Sequence, residues 1–167
     1  MSILGLDLGK RRIGVAIADA SALGVRPLAT LARTTPTEDF NALRAMVADW
    51  RVSRIVMGLP LNMDGIEGPA ARHAREFARQ LSETTAVPVD LYDERLTSFE
   101  AKSRLQDFPR KRGERKLLID QIAATLILEG WLAEHGADHE ASTHEPSAHE
   151  ASGSEVAVLV EHEQKAK

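Results

Sequence analysis

The sequence predicts an α/β fold, a mixed β-sheet with helices on both faces. The chain begins with three short segments of strand character in succession. After them, strand segments alternate with amphipathic helices, the pattern of parallel strands joined by crossover helices. The length of 167 residues, with 43% hydrophobic and 28% charged residues, suits one globular domain with a proper core. We therefore expect a sheet that starts antiparallel and continues parallel.

The individual elements follow from periodicity and from start and stop signals. Two-residue alternation of apolar side chains predicts strands at Ile3–Asp7 and Ile13–Ala18, followed by a third at Leu28–Arg33. Apolar residues at the helical period, with Thr, Pro and Gly at the ends, predict the helices. The later elements are, in order, a helix at 35–50, a strand at 54–60, a helix at Pro69–Glu83, a strand at 87–94, a short helix at Ser98–Leu105, a basic loop at Asp107–Gly113 and a helix from Glu114 to about Glu134, ended near Gly136.

The composition changes after Gly136. Residues 137–167 contain seven acids and two lysines, and the tetrapeptides HEAS, HEPS and HEAS begin at His139, His144 and His149. These histidines could chelate a metal, but low-complexity polar composition favours a solvated segment, because it cannot bury enough apolar surface to fold. We predict a folded domain at 1–136 and an acidic, histidine-rich, flexible tail at 137–167.

Several classes of protein and site are excluded or disfavoured by composition. The chain contains no cysteine, which excludes disulfides, thiolate metal sites and cysteine nucleophiles. No apolar run approaches the ~20 residues that span a bilayer, and the N-terminus lacks the layout of a signal peptide. We therefore expect a cytoplasmic protein without a membrane partner.

Three acidic positions lie where their neighbours are apolar. Asp7 ends the first strand, Asp93-Glu94 ends the strand at 87–94, and Asp120 lies on the apolar stripe of the last helix. Parallel strands end at one edge of a sheet, so these acids can converge there. Three neighbouring carboxylates repel one another unless a cation lies between them, and Mg²⁺ and Mn²⁺ prefer such oxygen ligands. Each acid alone is better explained as a cap, a turn acceptor or the partner of an arginine; their joint placement predicts a site for one or two metal ions.

Positive charges accompany these acids. A cationic turn directly follows Asp7, and the segment from Lys102 to Lys116 carries seven cations against two acids. A solvated charged surface is the alternative, but a basic loop beside an acid-bearing helix favours a nucleic acid whose phosphates these side chains bind. Aromatic residues are scarce nearby, so we expect recognition of backbone and shape rather than base stacking. The predicted nucleic-acid-binding residues are Lys10, Arg11, Arg12, Arg95, Lys102, Arg104, Arg110, Lys111, Arg112, Arg115 and Lys116.

Four motifs together resemble the YqgF/RuvX family: GLDLGKRRIGVAIAD, VMGLPLNMDG, DERLTS and LIDQIAATLILEGWL, in this order. The family comprises bacterial proteins of the ribonuclease H-like superfamily, described as Holliday junction resolvases and as nucleases of ribosomal RNA precursor processing. The resemblance covers the body of the chain but not the tail after Gly136. It implies a ribonuclease H-like fold, with a five-stranded mixed sheet whose first three strands are antiparallel.

The resemblance also implies site residues. It assigns the metal-binding, catalytic acids to Asp7, Glu94 and Asp120, which favours Glu94 over Asp93. It further implies a loop that shapes the site, with Gly58, Asn62 and Gly65 as its key residues and Asp64 as a turn residue.

The resulting hypothesis is an Mg²⁺- or Mn²⁺-dependent endonuclease, a hydrolase of phosphodiester bonds in structured nucleic acid. Its role would be processing the 5′ end of pre-16S rRNA, or Holliday junction resolution in DNA recombination and repair. A junction resolvase would be a homodimer, because two symmetric cuts match a two-fold substrate. The alternatives are a non-catalytic nucleic-acid-binding factor and, less favoured, an actin-like ATP-binding domain. The chain is short for the latter, and the spacing from Gly5 to Lys10 does not fit the phosphate loop GxxxxGK[ST].

Overall fold

The fold is described here from a computed structural model, for residues 1–19, 24–93, 95 and 112–141. In the last helix, side chains are described for residues 117–135. The predicted helix at 98–105, most of the predicted basic loop at 107–113, and the tail from residue 142 onward lie outside these ranges. So does Glu94.

A five-stranded mixed sheet with the strand order β3-β2-β1-β4-β5 forms the centre of the protein. Strands β1, β2 and β3 pair antiparallel, whereas β4 is parallel to β1 and β5 is parallel to β4. This arrangement confirms the predicted sheet. The elements are β1 (Ser2–Leu8), β2 (Arg12–Asp19), β3 (Val25–Ala32), α1 (Pro36–Asp49), β4 (Val52–Leu59), α2 (Pro69–Thr85), β5 (Val89–Asp93) and α3 (Arg112–Ala141).

Helices cover both faces of the sheet, as predicted. Strand residues alternate between the two faces, so Leu4 and Leu6 of β1 pack into the larger core, which α1 and α2 complete. The opposite face carries α3 and a smaller core around Ile127, Leu128 and Trp131. Gly5 and Asp7 alternate with the leucines, so the Asp7 side chain and the open face of Gly5 belong to the α3 face.

Two of the described elements depart from their predicted bounds by more than two residues, and the other described elements differ by one or two. Strand β3 begins at Val25 and includes Pro27, which an edge strand tolerates, and the β2–β3 register is irregular at its partner Ala16. Helix α3 begins at Arg112, before the predicted Glu114, and continues through Gly136 to Ala141. A glycine inside a long helix costs only about 1 kcal/mol relative to alanine, so Gly136 does not end it.

Within the part of the chain that the structure describes, no helix combines the length and the apolarity needed to cross a membrane.

Candidate active site

Asp7 lies near the carboxyl end of β1, on the face that α3 covers. It is opposite Gly14 in the antiparallel register of β1 and β2. Burial, and then the negative charge of Asp120, raise the pKa of Asp7 from 3.8 to about 6. Among the described residues, no cationic side chain forms an ion pair with it. Its carboxylate is therefore disfavoured in its charged form until a cation is supplied.

A glycine in β2 brings Asp120 to Asp7. A Cβ atom on Gly14 would overlap the backbone carbonyl of Asp120, so α3 can approach the sheet this closely only where a side chain is missing. Gly5 has the same function one strand over, because its Cβ would lie 2.8 Å from the carbonyl oxygen of Ala124 and from Cβ of Leu128. The helix thus lies directly on β1 and β2. Its inward-facing acid, predicted from the apolar stripe, is placed beside the tip of β1.

Asp120 has a cationic partner. The Nε atom of Arg12 donates a short hydrogen bond to Oδ2 of Asp120, and both side chains are partly buried. We predicted Arg12 as a nucleic-acid-binding residue, whereas in this structure its guanidinium neutralises one of the two acids. Arg12 thus holds Asp120 at the end of β1, and no cation among the described residues compensates the charge of the second acid, Asp7, when it is ionised.

The cationic turn between β1 and β2 forms the wall of a cleft of about 430 Å³ that Asp120 also lines. The cleft is lined by Gly9, Lys10, Arg11, Arg12 and Asp120. The side chains of Lys10 and Arg11 are exposed. Asp120 and the cations of the turn therefore share one cleft.

The third acidic position lies at the end of β5. Gly58 of β4 pairs with Tyr92, and Leu59 pairs with Asp93, so β1, β4 and β5 end at the same edge. Tyr92 belongs to the α3 face, and by alternation Asp93 belongs to the opposite face. Asp93 also forms an ion pair with Arg95 at 2.6 Å, and the hydrogen bonds that Arg95 donates to it lower the pKa of its carboxyl. Asp93 therefore has a cationic partner and lies on the face away from α3, whereas Glu94 lies outside the described residues.

The remaining predicted residues divide into three groups. Arg95 is exposed but already pairs with Asp93. The first turns of α3 contain Arg112, Arg115 and Lys116, whose side chains are not described. Outside the described ranges lie Lys102, Arg104, Arg110 and Lys111. Within the described residues, Asp7 and Asp120 come together, and no group of three metal-ligating side chains is found.

The loop after β4 is ordered by its own hydrogen bonds. The N–H of Asn62 donates to the carbonyl of Ile66 at 3.1 Å, and the N–H of Gly65 donates to the carbonyl of Asn62 at 2.8 Å. Gly65 has a φ of +82°, which a glycine adopts without strain. The N–H of Ile66 donates to Oδ1 of Asp64 at 2.9 Å, which confirms Asp64 as a turn residue. Gly58 is buried in β4.

Two residues next to the cationic turn were missed by the sequence analysis. Arg33 donates to the carbonyl of Gly9, and the buried Asp39 accepts from Arg33. A signal was present, because Asp39 shares the buried stripe of α1 with Leu43 and Val47. The same criterion that selected Asp120, an acid on an apolar stripe, would have found it. Acids are common in the first turn of a helix, and for that reason Asp39 was not singled out as an acid on a buried stripe.

Comparison with known proteins decides the family. Residues 1–134 match the sequence model of the RuvX family, described as "Holliday junction resolvase". The chain belongs to the RuvX family. One RuvX relative, from Anaeromyxobacter sp. (strain K), is 49% identical over 132 residues, which are 79% of this chain and 96% of the relative. Another, from Myxococcus xanthus, is 43% identical over 135 residues, 81% of this chain and 89% of the relative. Both carry the name "Putative pre-16S rRNA nuclease". The resemblance stated from the four motifs is thereby confirmed.

Solved structures of resolvases share the fold of this RuvX-family chain. RuvC of T. thermophilus in complex with a Holliday junction substrate superposes with a TM-score of 0.54 at 16% identity, covering 81% of this chain and 96% of that chain. The fowlpox virus Holliday junction resolvase gives 0.50 at 9% identity, covering 80% and 99%. At these identities the likeness concerns the fold alone, and it confirms the predicted ribonuclease H-like fold.

Proposed function

We propose that this RuvX-family protein is a metal-dependent endonuclease that hydrolyses phosphodiester bonds of structured nucleic acid. The observation that carries the proposal is the convergence of Asp7 and Asp120 beside the cationic turn. The two acids come from elements far apart in sequence and meet only because Gly14 has no side chain. The nuclease names of the family and of its relatives agree with this chemistry.

The donor set fits a hard divalent cation. Asp7 has its pKa raised to about 6 and no cationic partner among the described residues, so a cation at its carboxylate would relieve an electrostatic penalty. Asp7 and Asp120 offer carboxylate oxygens, the ligands that Mg²⁺ and Mn²⁺ prefer. We propose Glu94 as the third ligand. Asp93 lies on the face opposite α3, and this placement supports its neighbour Glu94, rather than Asp93, as the ligand. A divalent ion held there would supply an activated water and stabilise the charge of the leaving oxygen.

The chain's own side chains would bind and orient the substrate. Lys10 and Arg11 are exposed on the rim of the cleft, where they can contact phosphates on either side of the bond to be cleaved. Arg12 holds Asp120 in place through its guanidinium. The rest of the predicted basic set, from Arg95 to Lys116, would extend this contact along the polyanion. Asp7 must lose its proton to bind a cation, so the affinity of the metal-free protein for Mg²⁺ or Mn²⁺ should rise with pH up to about 6.

The relatives' names favour precursor 16S rRNA as the substrate, whereas the family description names a four-way DNA junction. The test is cleavage by purified protein with Mg²⁺ or Mn²⁺ on matched leader RNA, four-way junction and linear duplex. Wild type and Asp120→Asn are compared, and we expect cleavage of a structured substrate by the wild type alone. Salt-sensitive binding without cleavage of any substrate would instead indicate a non-catalytic binding factor. The mass of the protein in solution, with and without junction DNA, tests the proposed homodimer.

A further inference from the structure

The cationic turn is attached to the protein by an arginine outside it. Within the turn, the N–H of Gly9 donates to the carbonyl of Arg12 at 2.9 Å. From the end of β3, the N–H of Arg33 donates to the carbonyl of Arg11 at 2.9 Å, and Nη1 of Arg33 donates to the carbonyl of Gly9 at 3.0 Å. Arg33 therefore contacts the backbone of the turn at two points, one on each side of Lys10.

Arg33 is in turn fixed by a buried carboxylate. Its Nε donates to Oδ2 of Asp39 at 3.1 Å, while the other oxygen of Asp39 accepts from the N–H of Thr34 at 3.1 Å. Asp39 is 5% exposed. The guanidinium also lies 5.6 Å from the ring centroid of Phe77, a buried residue of α2. Helices α1 and α2 thus both determine where the guanidinium lies.

A buried ion pair is a weak source of stability, because desolvation offsets most of the attraction between its charges. What this pair does fix is geometry, since a guanidinium presents several donors in one rigid plane. One edge of Arg33 contacts Asp39 and another contacts Gly9. The pair joins the larger core to a turn whose exposed cations repel one another, in addition to the strand ends and the backbone hydrogen bonds that hold the turn.

We propose that Arg33 and Asp39 are positioning residues that hold the cationic turn in the conformation in which Lys10 and Arg11 bind the phosphates of the substrate. The inference rests on the proposed function, because it assigns the turn to phosphate binding. It predicts that Asp39, a residue that touches neither the cleft nor the acids, controls the affinity for nucleic acid.

The test compares Asp39→Asn with Glu38→Gln. Both remove one negative charge from the first turn of α1, but Glu38 is exposed and contacts Thr35 rather than Arg33. We expect Asp39→Asn to raise the KM and the Kd for four-way junction or leader RNA about tenfold, with kcat within about twofold of wild type. Glu38→Gln should leave all three values near wild type. A fall in kcat at unchanged KM would overturn the proposal.

A second variant guards against misfolding. Arg33→Lys keeps a positive charge near Asp39 but has a single ammonium group, which cannot replace the fork that spans Asp39 and Gly9. We expect Arg33→Lys to lose as much affinity for nucleic acid as Asp39→Asn does, and to lose less stability than Asp39→Asn. Wild-type affinity in Arg33→Lys would overturn the proposal.

Amide hydrogen exchange separates this inference from the proposed function. The N–H groups of Gly9 and Arg33 should exchange about tenfold faster in Asp39→Asn than in Glu38→Gln, since both are bonded within the anchored turn. Unchanged exchange would refute the positioning role even if the wild type cleaves nucleic acid. Faster exchange in Asp39→Asn, in a protein that cleaves no nucleic acid, would support the role of Arg33 and Asp39 in holding the turn. It would also show that the nuclease proposal is wrong.

Discussion

Replacing Asp7 by asparagine should make the metal-free protein more stable while it abolishes cleavage. The side chain keeps its shape, but the charge that burial and Asp120 both disfavour is removed. Most substitutions at well-packed positions destabilise a protein. A gain in stability at the position expected to be essential would therefore identify the acid as one kept for chemistry.

The magnitude follows from the pKa of Asp7, which burial and Asp120 raise from 3.8 to about 6. The native state binds this proton more tightly than the unfolded state, so the stability it contributes is complete below pH 3.8 and is lost as the pH rises through 6. At about 1.4 kcal/mol per pKa unit, the ionised carboxylate costs at most about 3 kcal/mol above pH 7. Asp7→Asn should escape this cost, and its advantage should fall to roughly half at pH 5.

The assay is urea unfolding of wild type and Asp7→Asn in EDTA at pH 8 and pH 5. Addition of Mg²⁺ or Mn²⁺ at pH 8 should then stabilise the wild type and not the variant, because a ligand that binds only the native state raises its stability. Asp93→Asn is the matched control, because the pKa of Asp93 is lowered whereas that of Asp7 is raised. Arg95 lowers the pKa of Asp93, so removing that charge should not stabilise the protein at any pH. Equal stabilities of wild type and Asp7→Asn at pH 8, or a less stable variant, would refute the electrostatic reasoning.

Two further predictions concern the helix contact and the turn. Gly14→Ala should lower stability by about 1–3 kcal/mol and kcat by about 100-fold, because its Cβ pushes Asp120 away from Asp7. Gly5→Ala, which crowds the same helix farther from the acids, should cost stability with a smaller loss of kcat; equal kcat losses would contradict this. The double substitution of Lys10 and Arg11 by Gln should reduce the slope of log Kd against log salt by about 2 in binding titrations. An unchanged slope would remove these residues from the phosphate contact.

The sheet and two of the acids could be predicted because their signals are local. Alternation in β1 and β2 and the apolar stripe around Asp120 are visible in short windows of sequence, and they determine which face each residue occupies. Glycine at positions 5 and 14 was harder to interpret, since a glycine in a strand signals only that something approaches closely. That the approaching group is the backbone of α3, with Asp120 directly over Gly14, is a tertiary fact.

Partnerships between charges could not be predicted from spacing. Arg12 and Asp120 are 108 positions apart, and nothing local distinguishes Arg12, which pairs with the acid, from Lys10 and Arg11, which are exposed. The pairing of Arg33 with Asp39 is short-range, but its meaning depends on the carbonyl of Gly9, which only the fold brings near. Spacing also leaves open the choice between Asp93 and Glu94; the pairing of β4 with β5 shows only that Asp93 occupies the face opposite α3.

We expect both faces of the sheet to contribute to stability but only the α3 face to position Asp120. A pair of matched substitutions can separate these two effects. Leu43 of α1 and Leu128 of α3 are both fully buried, yet Leu43 belongs to the larger core and Leu128 packs on Gly5 in the smaller one. Each Leu→Ala change should cost about 2–5 kcal/mol in urea unfolding. Only Leu128→Ala removes a contact that holds α3, and therefore Asp120, against β1. We expect kcat to fall at least about tenfold in Leu128→Ala and to stay near wild type in Leu43→Ala, measured where both are folded. Equal effects on kcat would mean that the position of the acids depends on overall stability rather than on how closely the helix approaches the strands.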